Sequence, residues 1–447
     1  MDMNVFMERL LSAAREAGME AAEIYYVESD SFNASAREGQ IASYNVSSDS
    51  GLSLRGVVQG RMGYASTQAY DDEAIGQLVR GVLESAALTE TEEQDEIFAG
   101  EAVYPTLPEE PSDLDGVSAE DKLNACLTME RAVKAADERI WKVQGSNLVT
   151  ERRTLRIRNS YGLDLRSSGS AIVAYTQPIA REAGDTAAQY AVMAGHRFAD
   201  LHPEQLAREA AEKTVSMLHA APVEAGDYRV VLHSGAMRDL LSTFSGIFSA
   251  ENAQQKLSLY AGKEGTEVAS GVVTVVDDPL LRGGFGSCTF DAEGSAARTK
   301  NVIERGVLRT LLHSRKTARK QGVQTTGNAS RPSYTAPVHV APTNLFLQPG
   351  EQTPEELMAQ VGDGLLITEV TGLHAGANPV SGDFSLLSKG YVIEGCRRGR
   401  PVEQITVAGN FYQLLRDIRC VGCDLDFEGG EIGAPSVDAG VLKISGK

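Results

Sequence analysis

Short segments of alternating polar and apolar residues, punctuated by glycines, are the feature that most constrains the fold of this chain. A period of two is typical of β-strands with one buried face, and glycines favour the turns between neighbouring strands. The N-terminal sequence therefore predicts an antiparallel meander. Its strands are expected at residues 23–28, 31–37, 41–47, 52–58 and 62–67.

Helices are predicted to flank these strands and a second set that follows them. The first residues have an amphipathic helical pattern, and Asp71 with Asp72 opens a second apolar stripe at helical spacing. Ser118 and Asp121 form an N-capping signature. Pro203 occupies a favoured first-turn position, and its helix is expected to reach about residue 219. Between these last two helices, strands are expected at residues 142–149, 152–158, 163–167, 171–176 and 189–193.

The two sets of elements share an order of strands followed by a closing helix. The pentapeptide Gly-Leu-Ser-Leu-Arg at 51–55 recurs with one change at 162–166, so an internal duplication is one interpretation. Residues 90–116 contain ten acidic side chains, three prolines and no Lys or Arg, and they are predicted to form a linker. We therefore predict an α+β fold with a first α/β unit at 1–89, a linker at 90–116, a second α/β unit at 117–220 and a β-rich C-terminal domain with a few helices at 221–447.

The charge balance argues against nucleic-acid partners. The formal net charge is −19, from 61 acidic and 42 basic side chains, whereas duplex binding depends on Lys and Arg that neutralise phosphates. The densest basic stretch, residues 309–320, has helical spacing and is predicted to be a solvated helix face. The sequence shows no membrane-spanning segment, no signal-peptide pattern and no dense cysteine framework. We expect a cytoplasmic protein that binds neither nucleic acid nor membrane.

The C-terminal domain contains two long stretches without a helix or strand pattern, residues 282–297 and 327–344. Such stretches are unusual inside a compact domain. They are interpreted as a binding surface or a partner interface.

The clearest candidate for chemistry lies where an apolar strand ending at Leu232 runs into a helix with a buried stripe. His233 stands at this junction, which is a place where metallopeptidases put their first ligand. A His there can also cap the helix or pack against the core. The residues alone favour the capping or packed role.

This junction resembles the zinc site of the TldD/PmbA family, also called peptidase U62 or the modulator of DNA gyrase family. TldD-type members carry His-Glu-x-x-x-His here, with two zinc-binding imidazoles and a Glu that activates water. This chain has His233, but Ser234 stands at the Glu position and Arg238 at the second His position. Ser has no carboxylate to take a proton from water, and Arg offers a metal no lone pair. An acidic neighbour is expected to hold the Arg238 cation.

The third zinc ligand of TldD-type members is a Cys near the C-terminus. The matching stretch here, residues 429–437, contains no Cys. Cys420 and Cys423 form a lone C-x-x-C before it, whereas a structural zinc site needs further ligands and a redox pair needs a thioredoxin-like context. Both are predicted to be buried or partly buried free thiols. The sequence therefore predicts no catalytic and no metal-binding residue in this chain.

Other elements carry the same resemblance along most of the chain. Phe-Asp-Ala-Glu-Gly at 290–294 and Ser-Gly-Asp-Phe-Ser at 381–385 resemble elements that both subunit types share, and residues 326–329, 342–345 and 405–410 are also similar to the family. The alternative to a binding role is structural, as a tight turn with an Asx-type cap or as carboxylates that face an Arg of a partner or water. The candidate peptide- or partner-binding residues are Asp291, Glu293, Ser381, Gly382, Asp383 and Phe384.

The resemblance implies a metal-free subunit of the TldE or PmbA type, inactive alone and without a cofactor of its own. The family complex is a zinc peptidase for small unstructured peptides, so a TldD-like partner is expected to hold the zinc, and the isolated chain is expected to form a homodimer. One alternative is an independent hydrolase that uses His233 with Asp291 or Asp383. Another is a DNA gyrase-related regulator, which the net charge disfavours.

Overall fold

The structure, a computed structural model, describes residues 1–90, 96–108 and 112–447. Two pieces of the predicted linker, residues 91–95 and 109–111, lie outside the described residues. Parts of the described linker lie against the rest of the chain: Ile97 is buried, and the Tyr104 hydroxyl donates a hydrogen bond to the Gly294 carbonyl (2.7 Å). In the described parts of the chain, no helix is both long enough and apolar enough to cross a membrane.

The N-terminal half forms one antiparallel sheet with four helices on one of its faces. The strand order is β3-β2-β1-β4-β5-β6, and β7 also pairs with β5. The strands are β1 Ala21–Arg37, β2 Gln40–Val58, β3 Arg61–Thr67, β4 Ile140–Asn159, β5 Asp164–Glu182, β6 Asp185–Ala188 and β7 Ala191–Gly195. The helices are α1 Met3–Glu16, α2 Asp72–Leu88, α3 Ala119–Ala136 and α4 Pro203–Val215.

The strands are longer than the sequence predicts. The predicted pairs at 23–28 and 31–37 and at 41–47 and 52–58 are each one continuous strand, β1 and β2. The two segments predicted in β1 are separated by Ser29 and Asp30, and strand pairing continues through both residues. Ser29 donates a hydrogen bond to Glu151 (3.0 Å), and the hydroxyl groups of Ser31 and Ser47 lie 2.8 Å apart. Polar residues therefore continue these strands rather than ending them.

The helix starts follow from the predicted caps. Asp71 accepts a hydrogen bond from the Ala74 N–H, Ser118 accepts one from the Asp121 N–H, and Pro203 is in the first turn of α4. The helices α1 and α2 cover one end of the sheet, around Ile24. The helices α3 and α4 cover the other end of the same face. The α+β class is confirmed, and both halves of the sheet show the order helix, strands, helix.

The C-terminal domain contains two larger sheets and a small one. Their strand orders are β17-β16-β15-β8-β20-β18, β11-β10-β9-β14-β19 and β12-β13. The strands are β8 Gly226–Leu232, β9 Val275–Asp277, β10 Lys300–Glu304, β11 Val307–Leu308, β12 Ala329–Ser330, β13 His339–Val340, β14 Leu345–Leu347, β15 Gly364–Thr371, β16 Asp383–Glu394, β17 Arg397–Asn410, β18 Cys420–Val421, β19 Ile432–Gly433 and β20 Val437–Ser445. The helices are α5 Ser234–Phe244, α6 Ala250–Gln254, α7 Arg315–Gln321, α8 Pro354–Val361, α9 Leu373–Gly376 and α10 Phe411–Asp417.

One prediction for this domain was wrong in detail. The helix expected at 309–320 begins only at Arg315, because Ser314 and Thr317 form a capping box. The two irregular stretches are partly buried and partly exposed, and their role as a binding surface or partner interface stays a prediction. Phe290 and Ala329 pack with Tyr25 of β1 on the sheet face opposite the helices, so these segments join the two halves of the protein.

Candidate functional site

The candidate site begins at the junction of β8 and α5. The β8 strand lies inside its sheet, between β15 and β20. The apolar face of α5 is buried in the main core, so this junction has little freedom to move. His233 is the N-cap of α5, as the sequence predicted: its Nδ1 accepts a hydrogen bond from the Gly235 N–H (3.4 Å).

The stretch that resembles the Cys-ligand region comes to this same junction. Ser436 is fully buried, and its hydroxyl oxygen accepts a hydrogen bond from the Ser234 N–H (3.1 Å). The Ser436 hydroxyl in turn donates to Asp424 (2.7 Å). The hydroxyl of Ser234 lies 3.2 Å from His233 Nδ1, but Ser234 is itself buried and that ring nitrogen already caps the helix. Two buried serines therefore lie at this junction, Ser234 beside the imidazole and Ser436 on the Ser234 N–H.

Arg238 lies one turn further along α5 and is surrounded by carboxylates. Its Nη2 is 2.5 Å from Glu428 and 3.2 Å from Asp239, and its Nη1 is 3.4 Å from Asp426. Only 10% of the Arg238 side chain is exposed. The sequence predicts an acidic neighbour for Arg238, and the structure shows three.

The loop that supplies two of these carboxylates has an unusual backbone. Glu428 has a φ of 45°, a left-handed conformation that is uncommon for residues other than glycine. Its N–H donates a hydrogen bond to Asp426 Oδ1 (2.8 Å). This tight turn directs both acidic side chains toward Arg238.

Burial and charge oppose each other in this cluster. Burial disfavours the charged form of Arg238, but Glu428, Asp239 and Asp426 outweigh burial and raise the pKa of the guanidinium. Burial raises the pKa of Asp239 and that of Glu428, and Arg238 partly offsets both shifts. Burial also lowers the pKa of His233, so neutral imidazole is favoured. The Arg238 guanidinium thus provides the positive charge that stabilises the ionised forms of Asp239 and Glu428.

These residues line a cavity of about 350 Å³ between α4 and the β8–α5 junction. More acidic than basic side chains face it, and the cavity is continuous with α4 of the N-terminal half. Most of its lining residues were not singled out from the sequence, because they come from distant segments without a motif. Tyr190, Lys213, Glu369, Asp426 and Glu428 are among them.

The residues at this site do not fit a zinc ion. A catalytic zinc site needs three protein ligands with lone pairs and an open position for water. Here His233 is the one imidazole at the motif, and Arg238 brings a permanent positive charge to the second position. Among residues 1–90, 96–108 and 112–447, no group of three His, Cys, Asp or Glu side chains is arranged to hold a metal ion.

The cysteines stand apart from this site. Cys126, Cys288, Cys396, Cys420 and Cys423 are all free, and Cys423 is exposed, contrary to the prediction that both members of the C-x-x-C are at least partly buried. Cys420 is partly buried and donates a hydrogen bond to Gln352 (2.9 Å).

Asp291 and Glu293 are buried in the seam between the two halves. The side chain of Asp291 accepts hydrogen bonds from the N–H groups of Glu293, Ser295 and Ala329 (2.9–3.1 Å). Glu293 accepts one from the Arg315 N–H (2.9 Å). Burial, assisted by the neighbouring Glu293, raises the pKa of Asp291 to about 7. Neither carboxyl group points to water, and their role in peptide or partner binding stays a prediction.

The same seam contains two buried arginines from opposite sides. Arg55 of β2 donates a hydrogen bond from Nε to Glu23 of β1 (2.7 Å). Arg331 of the C-terminal domain donates to Ser53 (2.9 Å) and to the Tyr64 hydroxyl, and its guanidinium lies 4.2 Å from the ring centre of Tyr25. The contacts of Arg331 with Ser53, Tyr64 and Tyr25 therefore join the C-terminal domain to the sheet, whereas the Arg55–Glu23 pair lies within the sheet.

The element at 381–385 is a tight turn that leads into β16. Gly382 has a φ of 83°, and a side chain there would collide with Tyr412. Asp383 accepts hydrogen bonds from Ser381 and Asn410 (2.8 Å each), and Phe384 is buried. This geometry is the structural alternative considered for the motif. Neither Asp383 nor Asp291 lines the cavity of His233, so the structure does not assemble the hydrolase sites considered as an alternative.

Comparison with known proteins covers nearly the whole chain. Three domain families match in sequence order: PmbA/TldA metallopeptidase domain 1 at residues 22–86, the central domain at 112–218 and the C-terminal domain at 225–446. The chain is 26% identical to the Metalloprotease PmbA of Escherichia coli O157:H7, with 99% of this chain and 96% of that protein aligned.

Solved structures agree with these matches. A candidate modulator of a DNA gyrase from Thermotoga maritima is 31% identical and superposes with a TM-score of 0.92, over 99% of this chain and all of that chain. TldE from Thermococcus kodakarensis is 21% identical and superposes with a TM-score of 0.89, over 99% and 100% of the two chains. At this lower identity the second likeness shows a common fold.

Proposed function

Because the chain belongs to the PmbA/TldD metallopeptidase family, we propose that it is the metal-free subunit, of the TldE or PmbA type, of a zinc peptidase whose metal is held by a TldD-like chain. In this proposal the subunit shapes the chamber in which the partner cleaves small unstructured peptides. The chain alone does not hydrolyse peptides.

The main support for the proposal is the burial of Arg238 and its contacts with three carboxylates. Here the second ligand position carries a buried guanidinium with carboxylates from α5 and from the turn at 426–428 around it. A buried ion cluster of this kind needs well-placed partners to offset its desolvation. The site is therefore built for an internal cation rather than for a metal ion.

The proposed pairing with a TldD-like chain is supported by family membership and by the chemistry of hydrolysis. A chain that keeps the fold of a peptidase but lacks ligands and base can contribute to hydrolysis only through a partner that has them. Two homologous subunits that pair with pseudo-two-fold symmetry use similar surfaces. We therefore expect the isolated chain to form a homodimer.

The purified chain is expected to contain far less than one zinc per chain, because a single imidazole beside a guanidinium binds the ion weakly. Elemental analysis after purification without chelator measures this. His233→Ala is the matched control, and its metal content should equal that of the unmodified chain. About one tightly held zinc per chain that disappears in His233→Ala would overturn the proposal.

A further inference from the structure

The outer edge of β2 lacks a neighbouring strand over much of its length. The β3 strand pairs only with β2 residues 52–58. From Ser43 to Ser50, β2 pairs with β1 on one side, and no strand in the described parts of the chain pairs with the other side. Backbone N–H and C=O groups along this free edge are available to another extended chain.

The free edge also lacks the usual protection against pairing. Soluble proteins protect edge strands with charges, especially Lys, or with Pro. Between Gln40 and Gly51 there is no Lys, Arg or Pro, and Asp49 is the one charged residue. Two large apolar side chains are exposed there instead: Tyr44 is 61% exposed and Val46 is 65% exposed. This edge is therefore suited to being covered.

Tyr44 and Val46 continue a buried apolar layer into solvent. They lie opposite Ala34 and Phe32 of β1, which are buried beneath α3. The rings of Phe32 and Tyr44 are stacked, with centres 6.5 Å apart. A strand added at the edge would cover both exposed side chains and extend the same layer.

The sequence of the edge indicates which chain fits it. Residues 43–47 read Ser-Tyr-Asn-Val-Ser, which is nearly the same in both directions around Asn45. In an antiparallel pair of identical strands centred on Asn45, each Tyr44 faces Val46 of the second copy, and Ser43 faces Ser47. Aromatic and β-branched residues make favourable cross-strand pairs. Asp49 then faces Ile41 rather than another charge.

We propose that a second copy of this chain docks on the free edge of β2, in antiparallel register about a two-fold axis at Asn45, so that the two N-terminal sheets become one. A two-fold axis perpendicular to the sheet keeps all four helices of each copy on the same face. The inference names the surface of the homodimer expected under the proposed function. The docking proposal is tested by mass and cross-linking, and the proposed function by metal content and peptide cleavage, so either one can fail without the other.

Val46→Lys should raise the dissociation constant of the dimer about a hundredfold. This corresponds to about tenfold for each of the two lysines placed beside the partner strand. The measurement is the mass by sedimentation or light scattering across a dilution series, against 47.8 kDa for one chain. Val441→Lys is the matched control, because Val441 is also an exposed strand valine, at 50%, but lies in the C-terminal domain. A monomeric unmodified chain, or a dimer that Val46→Lys leaves intact, would overturn the proposal.

Single cysteines test the register. In a background with Ser in place of the exposed Cys396 and Cys423, Asn45→Cys should form a disulfide-linked dimer under mild oxidation. Directly opposed residues of antiparallel strands lie about 4.5–5.5 Å apart at Cα, within disulfide range. Ser43→Cys should not form this disulfide, because the two copies of residue 43 would lie roughly 13 Å apart along the strands. Equal cross-linking at the two positions, or none at Asn45→Cys, would contradict this register.

Discussion

Arg55→Met is expected to destabilise the folded protein by about 3–5 kcal/mol, because it leaves a buried carboxylate without its partner. Glu23 is completely buried, and the Nε of Arg55 lies 2.7 Å from its Oε1. Burial already raises the pKa of Glu23, and Arg55 is the strongest influence that lowers it again. The measurement is the midpoint of thermal unfolding at neutral pH.

The loss of stability in Arg55→Met should decrease as the pH falls. Without Arg55 the folded-state pKa of Glu23 rises further above its unfolded value, so the folded protein takes up a proton as the pH falls. The loss is therefore largest at neutral and alkaline pH and shrinks toward pH 4–5, near the ordinary Glu value of about 4.3. Glu23→Gln added to Arg55→Met should recover part of the stability.

An exposed ion pair provides the control. Arg9 and Asp72 lie 2.6 Å apart, but their side chains are 49% and 70% exposed. Arg9→Met should cost at most about 1 kcal/mol. Equal losses in Arg9→Met and Arg55→Met would show that burial does not make the Arg55–Glu23 pair more important for stability than an exposed pair.

Arg238→Met is expected to destabilise the protein by about 3 kcal/mol at neutral pH, because Glu428 and Asp239 lose the cation beside them. These side chains are 21% and 29% exposed, so water in the cavity limits the loss relative to Arg55→Met. Thermal unfolding of the variant measures it. Arg309→Met is the control, since Arg309 pairs with Glu304 on the surface with 51% and 42% exposure.

The loss in Arg238→Met should also diminish as the pH falls. Burial raises the folded-state pKa of Asp239 and of Glu428 even with Arg238 present, and removing the cation raises both further. Protonation then neutralises the carboxyl groups in the folded protein, which is favoured below their raised pKa values. A loss that stays constant from pH 8 to pH 5 would contradict a role for Arg238 as their counter-charge.

The sequence was sufficient for the fold class and for most helix starts, because alternation and caps are local signals. It was insufficient for strand length, since Ser29 and Asp30 look like a turn until cross-strand partners supply their hydrogen bonds. The start of α7 was misplaced because Arg309 belongs to the same basic stretch as the helical residues, although the helix is capped only at Ser314. These errors come from tertiary contacts that no local window contains.

The candidate site was predictable in part for the same reason. The motif at 233–238 located the junction and implied a cation in need of acidic neighbours. It did not reveal that Asp426 and Glu428 supply two of them, because about 190 residues separate these segments. The seam around Asp291 was missed as well, since a buried carboxylate and an exposed one look alike in sequence.

The proposed role as a metal-free subunit is tested by measuring peptide cleavage by the chain alone and by the chain copurified with a TldD-like protein from its own cells. The substrate is an unstructured peptide, and zinc content is measured on both samples. We expect no turnover and no stoichiometric zinc for the isolated chain, and chelator-sensitive turnover for the copurified pair. Chelator-sensitive cleavage by the isolated chain would rule out the metal-free role.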